Sequence, residues 1–264
     1  MPGSQQPLLG GAGPGAGHGS LVGAPAGVTV HVAPTPAAVA LQLAARVAQA
    51  LAQALAERGR ATLWVSGGST PVPFFEALST AQLDWPRVSV GLVDERWCDP
   101  AEPDSNEGLV RRHLLVAAAA QANWLPCFRA VPADPFAAAK TLNAELDACP
   151  WPADVVVLGM GGDGHTASWF PETPEYLQAV TPNLHPRGLA VSAPDRPNVP
   201  RPRFTLGLGA VRDTRLLCIH TTGQARADLL AQVWAGRDLP IGKLWSVPLP
   251  QGQAMPPLEV YWAP

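Results

Sequence analysis

The residues best suited to chemistry lie in one glycine-rich stretch, GMGGDGHTASWFP, at residues 159–171. His165 carries an imidazole that can take up a proton near neutral pH, and Asp163 could orient that ring or hold its protonated form. The glycines let the backbone turn sharply and approach a ligand closely. The apolar run VVVL at 155–158 is typical of a buried parallel strand, and a helix could begin near Thr166. A tight turn with an exposed histidine is the alternative.

A second candidate is an anion site in SGGSTP at 66–71, which follows the predicted strand TLWV at 62–65. A helix is predicted from Val72, so its unpaired backbone N–H groups and the positive end of its dipole would face a ligand. The serine hydroxyl groups could add donors, and the glycines permit close approach. The turn matches neither a Walker A motif nor a GxGxxG fingerprint, and an ordinary strand-to-helix turn is the alternative.

A third cluster, Asp94, Glu95 and Arg96, follows the predicted strand VSVGLV at 88–93. Open α/β sheets bind ligands beyond the carboxyl ends of their strands, where these side chains would lie. Arg96 could hold a phosphate or polarise a carbonyl group, with Asp94 or Glu95 fixing its orientation. A solvated loop with internal ion pairs is the alternative. Asn106 ends a DSN sequence that is typical of a helix N-cap, and its side chain could also face the crevice.

Two helices are predicted by their end signals and apolar periodicity. Thr35 offers an N-cap, apolar residues then recur every four positions, and Gly59 stands where this helix would end. A second helix is expected over 134–149, with a buried side made of Phe136, Leu142 and Leu146. Strands and helices alternate along the chain, which predicts an α/β fold with a mostly parallel sheet and helices on both faces. The three polar strand ends would then meet on one side of the sheet.

Composition limits the classes of function. At 264 residues, 47% of them hydrophobic, the chain is long enough to bury a substantial core. Its net charge of −3 gives no basic field that would recruit nucleic acid. The four cysteines show no CxxC pairing and the six histidines no ligand-like spacing, so we expect neither a disulfide framework nor a metal site. With no uninterrupted apolar run of about 20 residues and no signal peptide, we expect a cytoplasmic protein without a membrane partner.

The chain is expected to form one domain behind a tail. Residues 1–27 are dominated by glycine, proline and alanine, and they would bury too little apolar surface to offset the entropy of ordering them. We therefore expect a disordered tail over 1–27 and a single domain over 28–264. His220 ends a further predicted strand and is interpreted as structural. A monomer and a small homo-oligomer both remain open.

Several blocks of the sequence resemble the 6-phosphogluconolactonase family. They are VSGGSTP at 65–71, VDERWC at 93–98, DSN at 104–106 and LGMGGDGHTASWFP at 158–171, with weaker matches in PRFTLGL at 202–208 and TGQARADLL at 222–230. The resemblance implies a Rossmann-like three-layer α/β sandwich that hydrolyses 6-phosphogluconolactone in the pentose phosphate pathway, with no required cofactor. It makes His165 the base that activates water and Arg96 a substrate ligand.

The candidate site therefore has catalytic and substrate-binding members. His165, Asp163 and Arg96 are the catalytic candidates. Arg226 stands where the family often has lysine, which suggests a phosphate contact. The substrate-binding candidates are Ser66, Gly67, Gly68, Ser69, Asp94, Asn106, Gly161, Gly162, Arg203 and Arg226.

Two alternative functions remain open. A sugar-phosphate deaminase or isomerase of the same fold would use a carboxylate base, and the wider superfamily includes glucosamine-6-phosphate deaminase. A non-catalytic regulator would bind a sugar phosphate without hydrolysing a lactone. The TASWFP continuation after His165 is similar to the lactonases rather than the deaminases.

Overall fold

The computed structural model describes residues 21, 23–125, 134–194 and 201–264. Most of the predicted tail and Cys127 lie outside the described residues. The described strands are β1 (Val28–Val32), β2 (Ala61–Val65), β3 (Val88–Leu92), β4 (Asp94–Arg96), β5 (Asn123–Trp124), β6 (Val155–Gly159), β7 (Gly188–Val191), β8 (Arg203–Leu206), β9 (Leu217–Thr222) and β10 (Leu258–Ala263).

Helices separate most of these strands, as the sequence predicts. The described α-helices are α1 (Pro36–Arg58), α2 (Val72–Ser79), α3 (Asn106–His113), α4 (Pro135–Asp147), α5 (Tyr176–Ala179), α6 (Leu208–Arg212), α7 (Gln224–Trp234) and α8 (Lys243–Ser246). Short 3-10 helices cover Trp85–Arg87, Ala117–Gln121 and Pro240–Gly242.

Seven strands form one parallel sheet in the order β1-β10-β9-β6-β2-β3-β5. The chain moves from β2 to β3 and β5 on one side, and later from β6 to β9 and β10 on the other. The strand order therefore reverses between β2 and β6, and open α/β sheets bind ligands at such a reversal. The helix α1 packs against β2 and β10, and α7 packs against β9. The predicted α/β fold with a mostly parallel sheet is confirmed.

Three short strands form a separate antiparallel sheet in the order β4-β8-β7. The charged sequence Asp94–Arg96 belongs to this sheet, although it was predicted to be the polar end of the preceding strand. Its partner is β8, and the register places Arg96 opposite Arg203. The small sheet therefore brings two arginines together from distant parts of the chain.

The longest helix, α1, has the predicted end signals. Thr35 Oγ1 accepts a hydrogen bond of 3.2 Å from the N–H of Ala38, and Gly59 follows the helix with a left-handed φ of 68°. By length and composition alone this helix could cross a membrane, with a mean hydropathy of 1.3 over its most apolar window. Its apolar side is buried in the protein core, as for a helix of a globular domain; this side includes Val39, Leu43, Val47 and Leu51.

The predicted burial of Phe136 in α4 is wrong. The Phe136 side chain is 47% exposed, whereas Ala138, Leu142 and Leu146 are buried. Phe136 precedes Ala138 by two residues, which turns it about 200° around the helix axis. A regular spacing of four residues therefore defines the buried side, and Phe136 falls outside it.

The predicted helix start near Thr166 is also wrong. The residues after His165 form turns until α5 begins. Ala167 has a positive φ of 47°, which a right-handed helix does not admit. The segment that follows the imidazole is therefore an irregular loop.

We expect Gly91→Ala to destabilise the sheet. Gly91 in β3 lies opposite Trp64 of β2, and a Cβ there would stand 2.6 Å from the fully buried Trp64 ring. Overpacking of this kind costs about 1–3 kcal/mol, so the free energy of unfolding in urea should fall by that amount. Ser89→Ala in the same strand is the control and should cost clearly less. Equal losses for the two variants would contradict the role of the ring contact.

Candidate active site

A cavity of about 230 Å³ lies at the carboxyl ends of β2, β6 and β9. These strands are neighbours in the sheet, so the turns that follow them meet, as the sequence predicts. Most of the predicted site residues line it, namely Ser66, Gly67, Gly68, Ser69, Asp94, Arg96, Asn106, Gly161, His165, Arg203 and Arg226.

Two predicted site residues lie outside this lining. A Cβ at Gly162 would meet no atom within 4 Å, so this glycine borders open space. Asp163 contacts the ring of His165, which does line the cavity. We therefore treat Asp163 as a partner of the imidazole rather than as a ligand for a bound molecule.

The imidazole of His165 is held by the carboxylate of Asp163. The distance between His165 Nδ1 and Asp163 Oδ1 is 2.5 Å, and the backbone N–H of His165 donates to the same oxygen at 3.3 Å. A carboxylate partner favours the tautomer with its proton on Nδ1, which leaves the lone pair on Nε2. The His165 ring packs at 4.9 Å from the Phe170 ring, and 29% of its side chain is exposed. The pair can therefore offer a base to a bound molecule.

Gly161 makes room for this ring. A Cβ at Gly161 would stand 2.2 Å from His165 Cε1 and 2.6 Å from Asp163 Oδ1. The N–H of Gly161 also donates to the carbonyl oxygen of His165 at 2.9 Å, which closes the turn. The observed ring position therefore requires a glycine at this point.

The turn is supported by the segment around the 3-10 helix Pro240–Gly242. Leu239 packs against Gly164, whose φ is 84°, and a Cβ at Gly164 would stand 2.7 Å from the Leu239 side chain. The N–H of Ile241 donates to the carbonyl oxygen of Gly164 at 3.0 Å. The residues around the Pro240–Gly242 helix thus hold the turn in its position. No local motif in that segment signals this contact.

Three of the six backbone N–H groups at residues 159–164 are engaged within the protein. The N–H of Gly159 donates to Ser66 Oγ at 3.2 Å, that of Gly161 to His165, and that of Gly164 to Gly161 at 3.0 Å. Backbone N–H groups can stabilise a developing negative charge on a bound carbonyl oxygen. These three already have acceptors, so side chains that line the cavity are further candidates for that task.

The turn after β2 approaches the small sheet closely. A Cβ at Gly67 would stand 1.9 Å from Asn106 Oδ1, so the backbone of Gly67 lies directly against that side chain. Asn106 Nδ2 in turn donates to the carbonyl oxygen of Asp94 at 2.9 Å. Gly68 has a φ of 92°, which a residue with a side chain rarely adopts. Gly67 therefore permits the close contact with Asn106, and Gly68 permits the backbone conformation of the turn.

Three guanidinium groups reach the cavity, from Arg96, Arg203 and Arg226. Arg96 donates through Nη1 to the carbonyl oxygen of Asp104, and Arg226 donates to that of Thr222 at 3.2 Å. In both, Nε is buried and has no hydrogen-bond partner among the described residues. Among the described lining residues one carboxylate, that of Asp94, opposes these three charges. The cavity therefore favours an anionic ligand.

The neighbouring carboxylates have structural partners. The sequence leaves open whether Asp94 or Glu95 orients Arg96, and the structure shows that the Glu95 carboxylate caps α3. It accepts from Ser105 Oγ at 2.9 Å and from the backbone N–H groups of Asn106 and Glu107 at 2.9 and 2.7 Å. Burial raises the pKa of Glu95, and these hydrogen bonds oppose that rise.

Asp94 is also held by partners other than Arg96. Its Oδ2 accepts from Ser168 Oγ at 2.7 Å and lies 4.0 Å from Arg203 Nη1. Within the described chain, the Arg96 guanidinium is therefore oriented by a backbone carbonyl group rather than by either acidic neighbour.

His220 lines the cavity but was interpreted from the sequence as structural. It lies in β9 opposite Gly159 and is only 2% exposed. Burial lowers the pKa of its imidazole to about 4, so the ring is neutral at pH 7. Its position at a strand end facing the site was the available sequence signal.

Thiol and metal chemistry find little support in the described residues. Burial raises the pKa of Cys98 to about 11 and raises that of Cys149 and Cys218, so none of these thiols forms a ready nucleophile. No group of three histidine, cysteine or acidic side chains comes together among the described residues in a way that could hold a metal ion. The chemistry of the cavity thus centres on its imidazole and guanidinium groups.

Comparison with known proteins identifies relatives over most of the chain. A family model described as glucosamine-6-phosphate isomerases/6-phosphogluconolactonase matches residues 34–248. A 6-phosphogluconolactonase of Rhizobium meliloti is 41% identical over 212 residues, which cover 78% of this chain and 86% of that protein. A 6-phosphogluconolactonase of Pseudomonas aeruginosa is 41% identical over 196 residues, which cover 73% of this chain and 81% of that protein.

A solved structure shares the fold. The crystal structure of a 6-phosphogluconolactonase from Shewanella baltica superposes with a TM-score of 0.82 at 34% sequence identity. The superposition covers 90% of this chain and 98% of that one. The likeness therefore extends over most of the fold.

The buried His220 should make stability depend on pH. An unfolded imidazole titrates near pH 6.5, so between pH 6.5 and pH 4 the unfolded chain binds a proton that the folded protein does not. The free energy of unfolding should therefore fall as the pH is lowered from 6.5 to 4. His220 alone should account for up to about 3 kcal/mol of this loss. Urea denaturation of the wild type and His220→Phe at pH 7 and pH 4.5 measures the difference.

Thr221→Val is the matched control for this measurement. Thr221 is the next residue in β9, is 1% exposed and carries a buried hydroxyl group with no titration in this range. The control should keep the pH dependence of the wild type, whereas His220→Phe should flatten it. An unchanged slope in His220→Phe would contradict the lowered pKa.

Proposed function

The chain belongs to the family of glucosamine-6-phosphate isomerases and 6-phosphogluconolactonases, and we propose that it hydrolyses 6-phospho-D-glucono-1,5-lactone to 6-phospho-D-gluconate. This reaction is a step of the oxidative pentose phosphate pathway and makes the protein a carboxylic ester hydrolase. The names of its relatives support the reaction. The observation that carries the proposal is the His165–Asp163 pair beside an arginine-rich cavity.

The imidazole of His165 serves as the general base. Nε2 removes a proton from a water molecule, whose oxygen attacks the lactone carbonyl carbon and forms a tetrahedral oxyanion. Asp163 holds the Nδ1 proton and stabilises the imidazolium that results. When the oxyanion collapses, the bond between that carbon and the ring oxygen breaks. The imidazolium returns its proton to the departing ring oxygen, which leaves a carboxylic acid and a free hydroxyl group.

Arginine side chains stabilise the negative charge. Arg203 packs at 5.0 Å over the Phe170 ring, and the same ring contacts His165. This shared contact supports a place for Arg203 near the reacting carbonyl group, with Arg96 beside it on the adjacent strand. Arg226 and the turn at 66–71 then receive the phosphate group. Because this turn precedes α2, its backbone suits an anion.

The size and charge of the cavity also suit a phosphorylated sugar lactone. A phosphorylated sugar lactone is a small anionic molecule, which matches a cavity of about 230 Å³ bordered by three guanidinium groups. Residues 28–264 form the lactonase domain, and we place the protein in the cytoplasm with no cofactor.

The base is an imidazole beside a carboxylate, and this arrangement favours lactone hydrolysis over deamination through a carboxylate base.

The central test is the rate of lactone hydrolysis with and without His165. Loss of a general base typically costs about 10²–10⁴-fold in rate, so His165→Ala should lower kcat by at least about 100-fold. The lactone also opens spontaneously, so the rate without enzyme is subtracted. Binding of 6-phosphogluconate, measured by calorimetry, and the melting temperature should both stay close to the wild type, because the arginines remain.

The outcomes separate the alternative functions. A wild-type protein that binds 6-phosphogluconate but does not accelerate lactone opening would be a regulator. Release of ammonia from glucosamine 6-phosphate would indicate a deaminase. Near wild-type turnover in His165→Ala would refute His165 as the base.

A neighbouring pair of glycines tests the position of the ring. Gly161→Ala should lower kcat by about 10–100-fold, because the added Cβ overlaps the His165 ring and small misplacements of catalytic groups are costly. Gly162→Ala is the matched control, since its Cβ meets open space. Steady-state assays of both variants measure the effect. Equal activity in the two variants would show that the ring is not held in the observed position.

A further inference from the structure

A second histidine lies in the cavity without any role in the proton transfers described above. His220 is in β9, directly opposite Gly159 at the end of β6. Its ring packs edge-on against Phe74 of α2, with the ring centroids 6.2 Å apart at 74°. The residue is 2% exposed, yet it borders the cavity. The imidazole is therefore a buried polar group in the wall of the binding site.

Neither ring nitrogen of His220 has a hydrogen-bond partner among the described residues. A buried polar group without a partner costs about 1–3 kcal/mol, and most buried polar groups in folded proteins are paired. Phe74, the aromatic neighbour, supplies packing but no hydrogen bond. The cavity is the side from which a partner can come.

We propose that His220 is a substrate-binding residue that forms a hydrogen bond with one hydroxyl group of the sugar ring. The inference rests on the proposed function, because it assigns a residue to the same lactone. A neutral imidazole has one N–H donor and one lone pair, and a hydroxyl group likewise donates and accepts. The two groups are therefore complementary without any charge.

The phosphate group is the poorer match for His220. A phosphate at neutral pH carries up to two negative charges and offers only acceptors to a neutral ring. The cavity already provides Arg96, Arg203 and Arg226 for such a charge. Burial keeps the His220 ring uncharged, since it lowers the pKa of the imidazole to about 4. The guanidinium groups thus bind the phosphate and the carbonyl oxygen, and His220 binds a hydroxyl group.

This role makes His220 a determinant of specificity. A site built to bond a substrate hydroxyl group rejects the analogue that lacks it, because the protein group is left unpaired in the complex. The 2-, 3- and 4-deoxy forms of the lactone each remove one hydroxyl group and keep the phosphate and the reacting ester. They therefore measure which hydroxyl group meets the imidazole.

The experiment compares kcat/KM for the parent lactone and the three deoxy lactones in four proteins. These are the wild type, His220→Phe, His220→Gln and Thr221→Val. In the wild type we expect one deoxy lactone to react at least about 100-fold less efficiently than the parent. In His220→Phe that ratio should fall to within about threefold, because the parent loses its extra hydrogen bond. His220→Gln keeps a neutral donor and acceptor and should retain part of the discrimination.

Thr221→Val controls for an effect on the strand alone. It removes another buried polar atom of β9 that has no hydrogen-bond partner in the described part of the chain, but Thr221 does not line the cavity. It should keep the wild-type ratios for all three deoxy lactones. Melting temperatures of all variants separate a loss of folding from a loss of recognition.

The outcomes distinguish this inference from the proposed function. If the wild type does not accelerate opening of the parent lactone, the proposed function fails and the inference fails with it. If the wild type is active and folded His220→Phe keeps every deoxy ratio, the inference alone is overturned and His220 is a packing residue. Should His220→Phe not fold, unchanged ratios in His220→Gln and a melting temperature equal to the wild type would overturn it equally.

Discussion

The site depends on the position of β6 at the centre of the parallel sheet. The strand is buried between β9 and β2, and its register with both neighbours fixes where its last residue, Gly159, ends. The turn with Asp163 and His165 begins there. A slip of one residue in this pairing would move the whole turn and reverse the side to which each strand residue points. The hydrophobic burial of Val155–Leu158 is therefore what positions the imidazole.

The small antiparallel sheet supplies the charge that the main sheet lacks. Arg96 and Arg203 face each other across β4 and β8, and like charges in such a pair repel. Glu95 does not relieve this repulsion, because its carboxylate accepts hydrogen bonds from the N-terminus of α3. Asp94 relieves it only in part, at 4.0 Å from Arg203. A net positive charge is thus left in the cavity, and an anionic ligand can neutralise it.

Local signals in the sequence predicted the elements well. Thr35 and Gly59 bound α1 because capping and the left-handed end are decided by the residues themselves. The convergence of the glycine-rich turns at one sheet edge follows from the parallel arrangement of β2 and β6. Contacts between distant segments were not predictable from such signals. Glu95 as a cap for α3 and Leu239 against Gly164 depend on how the chain folds back, and no spacing in the sequence encodes them.

The polar groups left unpaired in the cavity explain how a small site can be selective. His220 and the Nε groups of Arg96 and Arg226 are buried without hydrogen-bond partners among the described residues, and each lowers the stability of the free protein. Apolar side chains at these positions would give a more stable fold. A ligand with acceptors and a hydroxyl group in the matching places forms the missing hydrogen bonds. The energetic cost of the unpaired groups is then absent from the complex, which makes binding more favourable. A ligand that lacks one of these groups leaves the cost in the complex, and selectivity follows from that difference.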